Sequence, residues 1–502
     1  MNLPDPFARS LHNPDEFILT YELVPGQGAG GKKIDSLLEF ARQAKTDGRI
    51  RALSITDNAG GHPALAPVAI GAEIQHIGLE PLIHFSLKDK NRNQIESHLF
   101  LYQRQGFHNL LVLGGDFPKP TYHGQARPVF DLDTIQTISL VHDLVREHDL
   151  ACPFLCGCVV SPFKMTEAEQ VWQYAKLMKK IRAGSGFIIT QVGFVLEKYE
   201  ELIRFLEQET GHHSPDAKRI KKIPVLANVF IPSPGVVRFM ARGGVPGVLL
   251  PRELAEQMAG EDREKRLIRA ARMIAALRAM GYDGVHLGGN NLCFADIAFV
   301  LDQADTLFAR GDCRDKTDAG SRRLWFLYDG SGARKKLCPG TRPGLFPVHN
   351  LIHHLLFSRK TLLSRSFGSF CRLCDRHRLS RRMFTLFERI IKEALFDCRM
   401  CGDCTLTESR YLCPQSGCPK RLVNGPCGGS TNGRCEVFPE RTCFYVRVYR
   451  RLAPQTDLDD LGMAPVLPPK DWALERTSSW INFFLGRDHT AVSPTEKPIK
   501  ID

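Results

Sequence analysis

The sequence predicts an α/β fold: a (β/α)8 barrel followed by a helical, cysteine-rich metal-binding domain. Two observations carry that prediction. Eight short apolar runs alternate with helical stretches through the first 305 residues, more strands than an open doubly wound sheet usually carries. Of 16 cysteines, eleven fall after residue 330 and eight of those lie within 398–443.

The strand candidates are FILTYEL (17–23), RALSIT (51–56), PLIHFSL (81–87) and NLLVLGG (109–115), then CPFLCGCV (152–159), GFIITQVGF (186–194), IPVLANVFI (223–231) and GVHLGG (284–289). Most are rich in β-formers and have polar, Gly or Pro residues close by, as strands buried on both faces should. Between them run helical patterns such as IDSLLEFARQAK (34–45) and DTIQTISLVHDLVREH (133–148). The expected division is a barrel over 1–305, a helical connector over 306–397, a cysteine-rich module over 398–450 and a C-terminal tail over 451–502. In the connector, 345–357 and 381–396 read as helices, with Met383, Phe387, Ile390, Ile391 and Ala394 on one face, expected to pack as core against the barrel. The tail carries Trp472, Trp480, Phe483 and Phe484, bulky enough to dock back on the protein.

With 43% hydrophobic and 24% charged residues, the 502-residue chain has an ordinary globular composition, which excludes disorder and fibre. No apolar run approaches the ~18 residues that cross a bilayer. The first residues lack the pattern of a secretory signal, so the expected location is the cytoplasm. Net charge is +12, densest over 359–382 but without the aromatic–basic interleaving of RNA binders. That run reads first as a solvated basic face and second as a docking surface for an acidic electron-transfer protein; nucleic acid is not expected as a partner.

In such a barrel, chemistry belongs at the C-terminal ends of the strands. The polar residues there are Glu22, Thr56, Asp57 and His84, then Gly114-Gly115-Asp116, Gln191 and Gly288-Gly289-Asn290-Asn291. Each alone has a bland reading: Glu22 as a capping acid, His84 as a satisfied core histidine. Together they favour a site. A Gly-Gly-Asp turn lets backbone N–H groups approach a ligand, and a partly buried Glu22 would have a raised pKa and donate a proton near neutrality.

These residues resemble the methylenetetrahydrofolate reductases. The resemblance rests on Glu22 in YELVP, Thr56 in SITDNAGG, His84 in IHFSLKDKNR, Asp116 in NLLVLGGDFPK, Lys180 in KKIRAG and Gln191 in FIITQVGF, and extends over roughly residues 15–300. It implies a flavin-dependent barrel in which Glu22 is the general acid that opens the imidazolidine ring of methylenetetrahydrofolate. It also implies that Asp116 lies between pterin and flavin, that Gln191 binds the pterin, and that Thr56, His84, Gly115 and Lys180 hold the flavin, FAD or FMN. Three departures concern the nicotinamide half: the small run CGCVVS (156–161) replaces a tyrosine after strand five, Gly288 and Gly289 replace an aromatic after strand eight, and Gln173 replaces an acid. They argue against direct use of NAD(P)H.

In the cysteine segment, Cys398, Cys401 and Cys404 sit at Cys-x2-Cys-x2-Cys spacing, which suits three corners of a 4Fe–4S cubane. Cys413, Cys418, Cys427, Cys435 and Cys443 complete two sets of four. The preferred reading is two 4Fe–4S clusters, then one cluster with one four-thiolate zinc, then zinc alone. Cys371-x2-Cys374 and Cys338 are an accessory pair or chance; Cys152, Cys156, Cys158, Cys293 and Cys313 read as core or surface residues. The phrases CRMCGDCTL, CPKRLVNGPCGG and GRCEV are similar to the C-terminal domain associated with methylenetetrahydrofolate reductases of many anaerobes. The expectation is reduction of methylenetetrahydrofolate, a folate substrate, with electrons from ferredoxin or a partner oxidoreductase subunit, in a homo- or hetero-oligomer. The alternatives are a non-catalytic barrel that couples a separate reductase to its donor, or another folate-dependent one-carbon enzyme.

Overall fold

The structure, a computed structural model, describes residues 5–147, 153–211, 223–313, 323–340, 346–358 and 361–491. Eight parallel strands close into a barrel: β1 (Ile18–Leu23), β2 (Ile50–Ile55), β3 (Glu80–Ser86), β4 (Asn109–Leu113), β5 (Leu155–Val160), β6 (Phe187–Thr190), β7 (Val225–Ile231) and β8 (Gly284–Gly289). Each strand pairs with its neighbours in sequence, and β1 pairs with β8. Every run expected as a strand is one. The end of the sixth is shorter than expected, because the chain turns away after Thr190 and leaves Gln191 at the rim; Cys152 lies outside the described residues. The loop after β1 reads GQGAGG (26–31), which has the glycine spacing of a dinucleotide-binding turn, but it joins a barrel strand to the helix Lys32–Asp47 rather than opening a doubly wound sheet.

The barrel interior changes character along its axis. At its N-terminal end Ile18, Ala52, Leu82, Leu111, Phe187 and Leu226 pack with Phe7 and Leu11 into an apolar floor. Phe7 comes from the short helix Pro6–Ser10, capped by Asp5, whose carboxylate accepts the Ala8 N–H at 2.8 Å. Toward the C-terminal end of the same strands the inward residues are Thr20, Ser54, His84 and His286, all buried. The period-two alternation of a strand makes this layering: residues two apart face the same way, so each step along the strands adds one ring of side chains.

Residues 323–340 run back over the barrel, with Leu324, Leu327, Tyr328 and Leu337 joined to its outer core. Three helices follow, Phe346–Phe357, Leu362–Arg376 and Arg378–Phe396, packed in sequence order. The apolar face read as core in the last of them is not core. Met383, Phe387 and Ile390 are 60%, 56% and 61% exposed, Ala394 is exposed and Ile391 half-buried. The buried side is Phe384, Glu388 and Lys392. Periodicity identifies an apolar stripe but not which stripe the rest of the chain covers, and here the covering segment is the tail, whose hydroxyls and amides recruit a carboxylate. Glu388 accepts from the Ser479 hydroxyl at 2.7 Å and from the Ser478 hydroxyl. Trp480 and Phe484 pack against Phe357 and Phe367, with Phe484 stacked on Phe357, and Trp472 donates to Asp131 at 2.6 Å.

The cysteine-rich region is wedged between this tail and the barrel helix Glu167–Arg182, which is buried over nearly all of its length. Trp172 donates to the Tyr445 carbonyl at 3.0 Å, and Asn424 donates to Asp133 at 2.9 Å. Among the described residues no helix is long and apolar enough to cross a membrane.

Candidate functional site

The barrel mouth is built on strand register. Thr20 of β1 is opposite His286 of β8, and Glu22 of β1 is opposite Ser54 of β2. Because these inward residues share a layer, their side chains meet. Thr20 Oγ1 lies 2.8 Å from His286 Nδ1, Ser54 Oγ lies 3.0 Å from His84 Nε2, and His286 Nε2 is 3.7 Å from the Glu22 carboxylate. One ligand-type atom from each of Glu22, His84 and His286 falls within 4.8 Å of the others. Two imidazoles and a carboxylate could take a cation; the hydroxyls on His286 Nδ1 and His84 Nε2 and the approach of His286 Nε2 to Glu22 also make the group a network that can hold a proton.

Burial pushes His84 down to about 4, leaving it neutral at ordinary pH. Glu22 departs from expectation. Burial pushes its carboxyl up, but the His286 hydrogen bond and the fields of His84 and His286 outweigh that, and the net direction is down. The expectation of a raised Glu22 is thus corrected: the partner imidazole, 264 residues away in sequence, holds the carboxylate ionised.

Thr56, immediately after β2, is buried, and its backbone N–H donates to Leu23 O at 3.1 Å. Gly115 takes φ +82°, and a Cβ there would lie 2.1 Å from Ser86 Oγ, so only glycine closes this turn against β3. Asp116 accepts from the Gly60 N–H at 2.8 Å, lacing the loops after β2 and β4. Gln191, half-buried at the end of β6, accepts from the Val192 N–H at 2.9 Å. Glu22, Thr56, His84, Gly115, Asp116 and Gln191 therefore stand at one end of the barrel. Lys180 is the outlier: it is buried on the helix Glu167–Arg182 and donates to the Val159 carbonyl of β5 at 2.5 Å, outside the Glu22 network. A Cβ on Gly288 would lie 3.6 Å from Glu22 Cβ and 3.2 Å from the Phe230 ring, so the flank beside Glu22 is bordered by an aromatic from β7 instead of β8.

The rim also carries buried polar atoms with no protein partner: Thr56 Oγ1, Ser86 Oγ, Ser161 Oγ and Asn290 Oδ1, at the ends of β2, β3, β5 and β8. Native proteins rarely leave such atoms unsatisfied, and their placement around one mouth fits a polar ring system such as flavin or pterin.

The eight clustered cysteines divide into two quartets. Cys398, Cys401, Cys404 and Cys413 line one cavity together with Glu388, Lys392 and Lys470. Cys418, Cys427, Cys435 and Cys443 line a second with Lys420 and Glu436. Backbone N–H groups point at sulfur in both: Met400 to Cys398 at 3.3 Å, Gly429 to Cys427, and Tyr445 and Val446 to Cys443. Lys392 donates to Cys404 at 3.3 Å. Burial lifts the thiols, Cys401 to about 11 and Cys418 and Cys443 to about 12, so without a cation beside them these sulfurs hold their protons. Among the described residues no three of these sulfurs lie within 4.8 Å of one another. Cys371 and Cys374 belong to neither quartet; they are buried against Phe384 and Ile481. Cys156 and Cys158 are core, and Cys293 and Cys338 are exposed.

The second quartet abuts the mouth. Lys420, two residues after Cys418, pairs with Glu436 and donates to the Gly115 carbonyl at 2.8 Å, in the same turn that presents Asp116. Lys164 donates to Ser430 O at 2.9 Å and to Gly428 O, and Lys176 to Pro426 O at 2.9 Å. Sequence reasoning missed Thr20, Ser54, His286 and these three lysines. His286 was legible in principle, two residues before Gly288 and so on its inward face. The lysines carried no signal, since a lysine in a loop, as Lys164 and Lys420 are, or on a helix, as Lys176 is, ordinarily reads as exposed.

Comparison with known proteins agrees with the geometry. The family model described as Methylenetetrahydrofolate reductase matches residues 8–295, and the one described as Methylene-tetrahydrofolate reductase C terminal matches 377–473. No curated protein matches the chain. Among solved structures, an uncharacterized protein from Clostridium thermocellum that binds two copies of 5-methyl-5,6,7,8-tetrahydrofolic acid is similar at 14% identity, over 60% of this chain and 98% of its own, with TM-score 0.42. A 2,3-dimethylmalate lyase is similar at 14% identity over 62% of this chain and 88% of its own (TM-score 0.34). A long-chain alkane monooxygenase is similar at 11% over 62% and 95% (TM-score 0.36). With the first family model covering more than half of its length and the barrel mouth built as described, the chain belongs to the methylenetetrahydrofolate reductase family and is an oxidoreductase of that type.

Proposed function

We propose that the protein reduces 5,10-methylenetetrahydrofolate to 5-methyltetrahydrofolate in the cytoplasm, taking electrons from a ferredoxin or a partner oxidoreductase subunit through two 4Fe–4S clusters rather than directly from NAD(P)H. The observation that supports this most is the contact between the Gly114-Gly115-Asp116 turn and Lys420 of the second cysteine quartet. Bound at the mouth, FAD or FMN supplies hydride, and metal clusters in the quartets supply single electrons. Thr56, His84 and Gly115 hold the flavin, with Lys180 braced behind β5. Gln191 orients the pterin, and Asp116, fixed by Gly60, sets the polarity between the two ring systems.

Glu22 delivers the proton that opens the imidazolidine ring at N10. In the ligand-free mouth it is ionised, so it must first take up a proton. Covering the mouth with a pterin strips the remaining water from a half-buried carboxylate and raises its pKa toward that of a donor. His286, within reach of Glu22 and tethered by Thr20, keeps the carboxyl aimed. Gly288 and Gly289 leave no aromatic on β8 to clamp a nicotinamide, which supports an electron carrier as donor.

The test is anaerobic purification with flavin, iron, sulfide and zinc quantified, followed by turnover of methylenetetrahydrofolate with reduced viologen and, separately, with NADH. Stoichiometric flavin, about eight irons by the cluster arithmetic of two cubanes, and viologen-driven product without NADH-driven product are expected. Protein without flavin, or with zinc in both quartets, sinks the proposal.

A further inference from the structure

The outer side of the three helices between 346 and 396 is unexplained by the reading above. Leu362 is 79% and Leu379 73% exposed, and Phe370, Met383, Phe387 and Ile390 are each more than half exposed. Isolated exposed apolar side chains are ordinary, but this many on the two helices Leu362–Arg376 and Arg378–Phe396, which pack on each other, mark an interaction surface. Its charge is one-sided. All seven arginines of 361–396, from Arg365 to Arg389, are exposed, while the segment's one lysine, Lys392, is buried. Of its three acids, Glu388 is buried, Asp375 is paired with Arg487 at 2.6 Å, and Glu393 with Arg389 at 2.8 Å.

We propose that this face docks an acidic redox-carrier protein whose contact surface has an apolar centre ringed by carboxylates. Charge complementarity selects that occupant. A second copy would press arginine against arginine. A lipid surface accepts lysine as readily as arginine, whereas protein interfaces are enriched in arginine, methionine and phenylalanine and depleted in lysine, which is the composition seen here. Guanidinium groups also match carboxylates two bonds at a time. Position gives the docking a purpose. The helix Arg378–Phe396 shows Met383, Phe387 and Ile390 outward and, on its other side, contributes Glu388 and Lys392 to the cavity of the first cysteine quartet. One helix, ~10 Å across, therefore separates the patch from that cavity. The inference rests on the reading of that quartet as an electron-entry site.

The experiment uses the full chain purified anaerobically and, as probe, a small acidic bacterial 4Fe–4S ferredoxin, with binding followed by isothermal titration calorimetry at low and at physiological salt. The comparison proteins are M383S/F387S and R378E/R382E; all four positions are exposed, so melting temperature and iron content should match the parent. Expected is binding that weakens with salt, and at least tenfold weaker binding in each variant. Ferredoxin that fails to bind the parent, or binds both variants as tightly, overturns the proposal. So does sedimentation of the parent with phosphatidylcholine–phosphatidylglycerol vesicles, or a dimer that either variant splits. Iron and flavin content of the same preparation separate the two ideas: full content without ferredoxin binding overturns the docking alone, whereas an iron-free first quartet overturns the reading beneath it.

Discussion

Replacing Lys420 by methionine tests the contact between the cysteine region and the barrel mouth. Lys420 and Glu436 form an ion pair whose side chains are 5% and 6% exposed. Removing the ammonium strands the Glu436 carboxylate in a desolvated site, at a cost of about 3–5 kcal/mol. It also leaves the Gly115 carbonyl without its donor, which adds roughly 1 kcal/mol. The Glu436 carboxylate oxygen lies 1.2 Å from where a Cβ on Gly429 would be, so the pair occupies space that exists only because residue 429 is glycine. The double variant K420M/E436Q removes the stranded charge and should recover more than half of the loss. Urea unfolding under argon, followed by tryptophan fluorescence at matched iron content, measures both. A K420M protein as stable as the parent, or a double variant no better than the single, would refute the argument that a buried charge pair ties these two parts together.

Four further outcomes follow from the same geometry. Glu22→Gln should lower turnover by about 10²–10⁴-fold with flavin content unchanged, as loss of a general acid does, and activity within a few fold of the parent would remove Glu22 from that role. Gly115→Ala forces a Cβ to 2.1 Å from Ser86 Oγ at φ +82°, so the turn must open; flavin absorbance of the purified variant should fall while the fold survives by circular dichroism. Cys401→Ser and Cys427→Ser should each lose the metal of their own quartet and keep the other, read by iron analysis and electron paramagnetic resonance; loss of both centres from either change would mean the quartets are not separate. Finally, His84 is held near 4 when folded against about 6.5 unfolded, so the unfolded chain takes up this proton first as pH falls. Stability contributed at this position is intact above about 6.5 and declines by up to about 3 kcal/mol toward pH 4; His84→Gln should flatten that part of the urea-midpoint profile.

The barrel was readable because its strands are buried on both faces and so appear as continuous apolar runs such as NLLVLGG (109–115), each closed by a glycine or polar residue at the mouth. What needed coordinates was everything set by long-range pairing. Glu22 looked like an acid with a raised pKa because burial was the only influence its own strand revealed; the opposing influence, His286, reaches it through the closure of β1 on β8. The division of eight cysteines into quartets at the Cys413/Cys418 boundary depends on which loop folds over which, and spacing left the pairing open. Met383, Phe387 and Ile390 carried a helical period identical to that of a core face, and only the position of Trp480 and Phe484 shows that the covered side is the one with Glu388.

The helix Glu167–Arg182 is walled on one flank by the barrel and on the other by residues from Asn424 to Gly462. During synthesis, Trp172 must wait in water for 273 residues of chain, and Lys176 for 249, before their partners leave the ribosome. If the quartets hold metal as proposed, a cell short of it would accumulate barrels with a raw seam, prone to sticking and to proteolysis, so that supply of the inorganic component would govern how much of this polypeptide persists at all.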